Sequence, residues 1–257
     1  MLLAALCLFS SCQEVIELNL NSASSILVIE GNIFDRKMPP YHQCEVNLSR
    51  TVNYNGSNFF PPVLDAKVTI SDDAGNSEKL SSINGGYFTD NLKVVVGRKY
   101  NLTVLVDGKT YSASSTMPRA VEIDSLYFRS FFGTTKFVTI DFTGPVRTEN
   151  YYRFVQFVNN KRITGFSYLS QNLPEVLTTS YSFVSMIQRG DSLYKKGDSI
   201  SVWLETIDKG AYDFFRTAGS YSGQSASLAN PVSNISNGAL GYFNACSVRK
   251  SKKILIP

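Results

Sequence analysis

Histidine, tryptophan and charged residues are all scarce in this sequence. Its 257 residues include one histidine, His42, and one tryptophan, and 18% of them are charged, against roughly a quarter in typical soluble domains. A single histidine excludes a metal site built from several histidines and leaves one candidate for histidine-based catalysis. Hydrophobic residues make up 43% and aromatic residues 12%, which is enough to build folded cores and is typical of an all-β chain.

The best-known catalytic signatures are also absent. The sequence contains no G-x-S-x-G, no G-x-G-x-x-G and no phosphate-binding loop, so hydrolase-elbow, dinucleotide and nucleotide functions have no support from motifs. Ser192 and Lys195 match S-x-x-K, but they lie in a glycine-flanked, turn-like segment without the partner motifs of penicillin-binding enzymes. We therefore predict a non-enzymatic protein without a cofactor or a metal. A glycoside hydrolase that needs only two carboxylates escapes this argument.

Two small polar groups have both a functional and a structural interpretation. His42 stands at the entrance of a predicted strand, where we interpret it as structural rather than catalytic. Asp72 and Asp73 with Asn76 offer oxygen ligands of the kind that calcium prefers. The chemistry of a tight turn explains the same residues more simply.

The N-terminus resembles a bacterial lipoprotein signal. Residues 1–11, MLLAALCLFSS, form an uncharged apolar segment that is shorter than the roughly 20 residues of a membrane span and fits a signal peptide, although a basic n-region is missing. The sequence FSSC ending at Cys12 resembles a lipobox, in which cleavage before the cysteine is followed by acylation with chains such as palmitate. We expect a lipid anchor at Cys12, a tether over residues 12–23 and attachment to the outer membrane. Both the periplasmic and the surface-exposed face of that membrane are compatible with the sequence. An ordinary secretory signal is the alternative.

Two cysteines, Cys44 and Cys246, remain after the signal peptide and the lipidated position are set aside. An oxidising compartment permits a disulfide. Both cysteines lie in apolar strand patterns, however, and in regions that we assign to different domains. We therefore favour two buried free thiols.

The basic residues are concentrated near the C-terminus. The net charge is +4, and the last strand pattern alone carries four cations: Arg249, Lys250, Lys252 and Lys253. A nucleic-acid-binding protein normally carries a broader basic face, so we expect no nucleic-acid partner. We interpret the cluster as lysines that discourage edge-to-edge pairing of a final strand, with a patch that contacts headgroups or a partner as the alternative.

Residues 24–118 show short strand patterns separated by turn signals. Residues 25–34 are β-branched and apolar, residues 42–52 alternate apolar and polar side chains, and a hairpin is predicted around Asp107-Gly108. About seven strands at this spacing predict an immunoglobulin-like β-sandwich. Pro118 ends this predicted domain.

Residues 119–257 are predicted to form a second β-rich domain with one short α-helix. Strand patterns cover residues 121–129, 137–143, 151–159, 181–188 and 199–207, and Trp203 is expected in a core. The helix is expected over residues 209–218, capped by Asp208 and stopped by Gly219. Residues 220–238 are expected to form a long polar loop, with strands over residues 240–243 and 247–256 closing the sheet.

Several phrases spread over the chain resemble the family called domain of unknown function 4249. They are the lipobox, LVIEGNI (27–33), VNLSRTVNY (46–54), AKVTISDDAGN (66–76), ASSTMP (113–118) and NPVSNISNGALGYFNA (230–245). The resemblance implies a Bacteroidetes lipoprotein, often encoded beside a TonB-dependent receptor. It supplies no catalytic residues, and it implies an accessory role in nutrient capture or uptake.

The candidate functional residues follow from this expectation. The loop over residues 220–238 is the predicted binding surface, because long loops in compact domains are usually functional or disordered; its candidate residues are Tyr221, Asn230, Asn234 and Asn237. Three Asp-Ser-apolar tripeptides resemble bacterial O-glycosylation acceptors, at Ser125, Ser192 and Ser199. We expect a non-enzymatic ligand-binding or docking accessory to a TonB-dependent receptor. A surface adhesin or structural envelope protein is the alternative.

Overall fold

The computed structural model describes residues 24–36, 39, 41–52, 59–131, 135–163, 167–183, 195–220 and 230–256. These ranges form short strands and one helix, in this order: β1 Leu27–Phe34, β2 Cys44–Arg50, β3 Lys67–Asp72, β4 Ser77–Lys79, β5 Ser81–Ile83, β6 Gly86–Thr89, β7 Lys99–Val106, β8 Lys109–Thr116, β9 Ile123–Phe131, β10 Thr135–Thr143, β11 Asn150–Val158, β12 Lys161–Arg162, β13 Ser167–Gln171, β14 Thr178–Ser182, β15 Ser199–Ile207, α1 Lys209–Ser220, β16 Leu240–Lys250 and β17 Ile254–Leu255. The prediction of a mainly β chain with one short helix is confirmed.

The described strands assemble into three sheets. The longest has ten strands in the order β12-β11-β15-β16-β1-β2-β6-β5, with β13 beside β11 and β17 beside β15. A four-stranded sheet has the order β4-β3-β7-β8, and a three-stranded sheet has the order β14-β10-β9. The long sheet is therefore the common layer against which both smaller sheets pack.

Three apolar clusters hold these layers together. The first joins β1, β2 and β6 of the long sheet to β3 and β7 of the four-stranded sheet, and it makes the sandwich predicted for the N-terminal region. The second joins β11 and β15 to the three-stranded sheet. The third lies on the opposite face of the long sheet, where α1 packs against β16.

The long sheet runs through both predicted domains. Strand β16, close to the end of the chain, pairs in parallel with β1 from Val28–Leu240 to Phe34–Cys246, and its last residues pair with β15. Phe243 and Ala245 of β16 are buried in the first apolar cluster. The predicted sandwich over residues 24–118 is thus completed by a strand from residues 119–257, and the sheet has no break at residue 118.

The end of the chain differs from its prediction. The two strands expected over residues 240–243 and 247–256 are one continuous strand, β16, followed by the two-residue β17. Strand β16 pairs with β1 up to Cys246 and with β15 from Ser247 to Lys250, so Arg249 and Lys250 have a paired strand on one side only. The interpretation of the basic cluster as protection of a sheet edge stays a prediction.

Helix α1 begins where the sequence predicts and ends later. The Asp208 side chain accepts a hydrogen bond of 2.9 Å from the backbone N–H of Ala211, which caps the first turn. Ala211 and Phe215 are buried against the third cluster. The helix continues through Gly219 to Ser220, so the prediction that Gly219 ends it is wrong.

Cys44 and Cys246 are buried free thiols, as predicted. Cys44 lies opposite Ile33 and Cys246 lies opposite Phe34, on the two strands that flank β1. Because consecutive residues of a strand point to opposite faces, the two thiols lie on opposite faces of the sheet. This placement, rather than a domain boundary, keeps them apart.

Candidate functional site

The face of the long sheet that carries α1 also carries two adjoining depressions. We call the first the glutamate hollow; it holds about 170 Å³, and its polar lining comprises Glu30, Asn32, Glu45, Asn47, Arg153 and Glu205. We call the second the lysine hollow; it holds about 380 Å³, and its polar lining includes Asn160, Ser201, Lys250 and Lys253. Four residues line both hollows: Tyr41, Phe157, Arg162 and Trp203. The two hollows therefore form one polar and aromatic surface.

Strand alternation places the acidic side chains in the glutamate hollow. In β1, Ile29 and Ile33 point into the first apolar cluster, so Glu30 and Asn32 point to the other face. In β2, Cys44 and Val46 point inward in the same way, which leaves Glu45 and Asn47 on the hollow side.

The same rule orders the other half of the hollow. Phe154 of β11 and Leu204 of β15 are buried in the second apolar cluster. Their neighbours Arg153, Trp203 and Glu205 consequently point to the opposite face. Arg153 and Glu205 are direct cross-strand partners, so the ladder itself brings their charges together.

Arg153 and Glu205 form a buried ion pair in the wall of the glutamate hollow. The Arg153 Nη1–Glu205 Oε2 distance is 3.0 Å, and the two side chains are 10% and 4% exposed. The guanidinium also lies 4.1 Å from the ring centroid of Phe215 on α1. Burial on its own would lower the pKa of Arg153, but the Glu205 carboxylate outweighs it and the pKa is raised. The guanidinium therefore stays charged, and it links α1 to β11 and β15 in the wall of the hollow.

Glu30 lies at the edge of the hollow as an exposed residue. The groups around it take away part of its hydration and raise its pKa, while the charges of Arg162 and Arg153 act in the opposite direction. The β1–β2 register pairs Glu30 with Asn47 and Asn32 with Glu45. Glu30 and Glu45 are thus diagonal neighbours, roughly 7 Å apart at the backbone.

Trp203 lies between the two hollows with both sides of its indole occupied. Lys250 Nζ lies 4.6 Å from the ring centroid of Trp203, and the Phe157 ring centroid is also 4.6 Å away. Because β16 and β11 flank β15 on opposite sides, these two neighbours approach the indole from opposite sides. Tyr41 meets the indole edge-on, at 5.8 Å and 82°. The tryptophan predicted for a core is therefore only partly buried, and it separates the acidic hollow from the basic one.

The predicted binding loop is described only in part. Tyr221 lies outside the described residues, and Asn230 is exposed. The Asn234 side chain accepts a hydrogen bond from Phe243 N at 2.9 Å and donates one to Phe243 O at 2.8 Å. Asn237 donates to the carbonyl of Thr110 at 2.5 Å. Asn234 and Asn237 thus fasten the loop to β16 and β8, and their role in binding stays a prediction.

The predicted modification sites are scattered over the chain. Cys12 and Ser192 lie outside the described residues. Ser125 is half-buried and donates to Asp141 Oδ2 at 3.1 Å, and Ser199 begins β15 beside Asn159. Neither serine lines either hollow. Lipidation at Cys12 and O-glycosylation at the three serines stay predictions.

His42 and Asp72 have structural surroundings. The His42 ring stacks on Phe88 at 4.0 Å and its Nδ1 lies 3.0 Å from Asp90 Oδ2. Asp72 accepts hydrogen bonds from Ala74, Asn76 and Arg98, as the turn interpretation predicts. Within the described ranges, no group of three or more histidine, cysteine, aspartate or glutamate side chains is placed to hold a metal ion.

Among the charged residues that line the two hollows, the sequence pointed only to the basic cluster near the C-terminus. A signal for the acidic residues was present, because Glu30, Asn32, Glu45 and Asn47 occupy the polar positions of two alternating strands. Nothing in the sequence indicated that Arg153 and Glu205 join them, because that requires the pairing of β16 with both β1 and β15.

Fold and site together define a mainly β protein with a charged and aromatic concave surface beside α1 on one face of its longest sheet. The family model described as a domain of unknown function, DUF4249, matches residues 13–252. The chain belongs to this family. The comparison with curated proteins found no match to this chain. The helix α1 is twelve residues long. Within the described ranges, no helix has the length and hydropathy that a bilayer span requires.

Proposed function

We propose that this protein is a lipid-anchored, non-enzymatic accessory of the outer membrane that captures a small ligand for a TonB-dependent receptor. The observation that carries the proposal is the pair of adjoining hollows beside α1 on one face of the long sheet. Together they offer several hundred Å³ of concave surface, the scale of small-molecule sites. The resemblance to lipoproteins encoded beside such receptors supports the choice of partner.

A lipid anchor suits this arrangement. If Cys12 carries the lipid, residues 12–23 separate it from the described fold, and such a tether reaches roughly 40 Å when fully extended. Two or more acyl chains make attachment stable. Confinement of the protein near the membrane raises its effective concentration toward a receptor in the same membrane.

Co-purification from detergent-solubilised outer membranes tests the accessory role. A tagged full chain is expected to recover a TonB-dependent receptor, and its Cys12→Ala variant is expected to leave the membrane fraction without a lipid label. Recovery of the protein alone, combined with normal nutrient uptake in a deletion strain, would contradict the proposal and favour an adhesin or a structural envelope protein. Membrane retention of Cys12→Ala with its lipid label intact would contradict the anchor.

One observation favours a second candidate, a carboxylate-based glycoside hydrolase. Glu30 and Glu45 are diagonal neighbours in the same hollow, and the raised pKa of Glu30 suits a proton donor. We prefer binding because Lys250 and Phe157 occupy the two sides of Trp203, where a sugar ring would stack. Release of sugar from aryl glycosides by the full chain, lost in Glu30→Gln, would establish the hydrolase instead.

A further inference from the structure

We propose that the ligand of the two hollows is a short apolar peptide with free termini, its ammonium group in the glutamate hollow and its carboxylate in the lysine hollow. This inference rests on the proposed binding function and names its substrate class. The order of charges along the surface carries it. Glu30 and Glu45 line only the glutamate hollow, whereas Lys250 and Lys253 line only the lysine hollow.

Arg162 lines both hollows and adds a positive charge to each, so the order of the charges along the surface is kept. Arg153 and Glu205 neutralise each other in a buried pair, so neither contributes a net charge to a ligand. Among the ion pairs of the described residues, none involves Glu30, Glu45 or Lys253. One end of the surface is thus acidic and the other basic, which complements a molecule that carries opposite charges at its two ends.

The middle of the surface suits an apolar body with peptide groups. Tyr41, Phe157 and Trp203 line both hollows and offer ring edges and apolar contact. Arg162 also lines both hollows and is exposed, and its fork of N–H donors matches carbonyl and carboxylate oxygens. Asn47 is exposed as well, and its amide can pair with a backbone N–H or C=O.

A carbohydrate fits this surface less well. Recognition of a sugar ring by tryptophan needs an open aromatic face. The indole of Trp203 has the Lys250 ammonium on one side and the Phe157 ring on the other. A neutral sugar would also make no use of the opposite charges at the two ends of the surface.

Calorimetry on the full chain in detergent tests the ligand class. The probes are tri-leucine, its N-acetyl derivative, its C-terminal amide, and maltohexaose as the sugar. Because each blocked terminus removes one charge-assisted contact, we expect each blocked peptide to bind at least about tenfold more weakly than tri-leucine. Equal binding of free and blocked peptides, or tighter binding of maltohexaose, would overturn the proposal.

Two variants assign the ends. Glu30→Gln is expected to weaken the binding of tri-leucine about tenfold. Binding of the N-acetyl peptide should stay unchanged, because this peptide already lacks the ammonium group that Glu30 would contact. Lys253→Gln is expected to weaken tri-leucine about tenfold while leaving the C-terminal amide unchanged, because the amide already lacks the carboxylate that Lys253 would contact. Lys252→Gln is the matched control, since Lys252 is exposed beside Lys253 and lines neither hollow. Uniform weakening of every peptide by Glu30→Gln would contradict the assignment.

The outcomes separate this inference from the proposed function. If a receptor co-purifies and no tripeptide binds, the ligand class is wrong and the accessory role stands. If tripeptides bind with the predicted pattern and no receptor is recovered, the ligand class stands and the receptor role is wrong.

Discussion

The charges of Arg153 and Glu205 have little access to water, and the Arg153 guanidinium lies against the ring of Phe215. Removing two charges from water is costly, and their attraction offsets that cost only while both are present. The pair therefore contributes more to the order of the hollow than to the net stability of the fold. A buried ion pair of this kind fixes which strands and which helix face meet at one point.

Removal of one partner of this pair should be much worse than removal of both. We expect Arg153→Met to lower the free energy of unfolding by about 3–5 kcal/mol, because Glu205 would remain as an unpaired buried charge. The double variant Arg153→Met/Glu205→Leu should recover most of that loss. Urea unfolding measures both values. A double variant as unstable as the single one would show that the guanidinium packing, rather than the charge balance, is what matters.

Gly241 is the glycine whose replacement the sheet cannot accommodate. Its φ is +106°, and an added Cβ would lie 2.0 Å from the carbonyl oxygen of Ile29 on β1. We expect Gly241→Ala to lower the free energy of unfolding by at least about 2 kcal/mol. Gly108→Ala is the control, because φ there is +70° but the surrounding space is open, and it should cost only about 1 kcal/mol. If both variants lost the same free energy of unfolding, the close approach of β16 to β1 at Gly241 would be contradicted.

At the scale of elements, the loop after α1 is tied to β16 by one side chain. Asn234 bonds both the N–H and the C=O of Phe243, a position where β16 has begun its pairing with β1. We expect Asn234→Ala to lower the free energy of unfolding by about 1–3 kcal/mol, because two backbone groups lose their partner. Asn230→Ala, at an exposed position of the same loop, should leave unfolding unchanged. Similar losses in both variants would show that the loop is not held at Asn234.

The turn between β3 and β4 gives the fold a dependence on acid. Burial alone would raise the pKa of Asp72, but hydrogen bonds from Asn76 and Ala74 and the charge of Arg98 outweigh it and lower the pKa below its usual value of 3.8. A carboxyl with a lowered folded-state pKa stabilises the fold above its unfolded pKa, and that contribution is lost as the pH falls through the folded pKa.

We expect the wild-type chain to lose stability between about pH 5 and pH 2 more steeply than Asp72→Asn. Denaturant midpoints across this interval measure the difference. Asp65→Asn is the control, since Asp65 is exposed, and it should follow the wild-type slope. Identical slopes for wild type and Asp72→Asn would show that Asp72 does not carry the acid sensitivity.

Local patterns predicted several elements well. The hairpin of β7 and β8 turns at Asp107 and Gly108, both with positive φ, as an Asp-Gly signal predicts. Strand β15 and the start of α1 also match their patterns. The short strands β5, β12 and β13 were not predicted, because segments of two to five residues carry too little periodicity.

At the scale of the whole molecule, the decisive feature is a pairing that local patterns do not encode. Strands β1 and β16 lie more than 200 residues apart in sequence and pair in parallel over seven positions. This pairing places Tyr242 beside Glu30 of β1, and the end of β16 carries Lys250 to Trp203. Sequence alone indicated the basic cluster and the aromatic residues, but not that they share one surface with Glu30 and Glu45.

We propose that the face of the long sheet carrying the two hollows is the ligand site, and Trp203 reports directly on this face. It is the single tryptophan of the chain and lines both hollows, so selective excitation observes this surface alone. The measurement is the emission of Trp203 and its quenching by acrylamide during a titration of the full chain with tri-leucine, which does not fluoresce. Binding in the two hollows should give a saturable change in the emission of Trp203 and reduce its quenching by acrylamide. Heat of binding in calorimetry without any change at Trp203 would place the ligand elsewhere and contradict the proposed site.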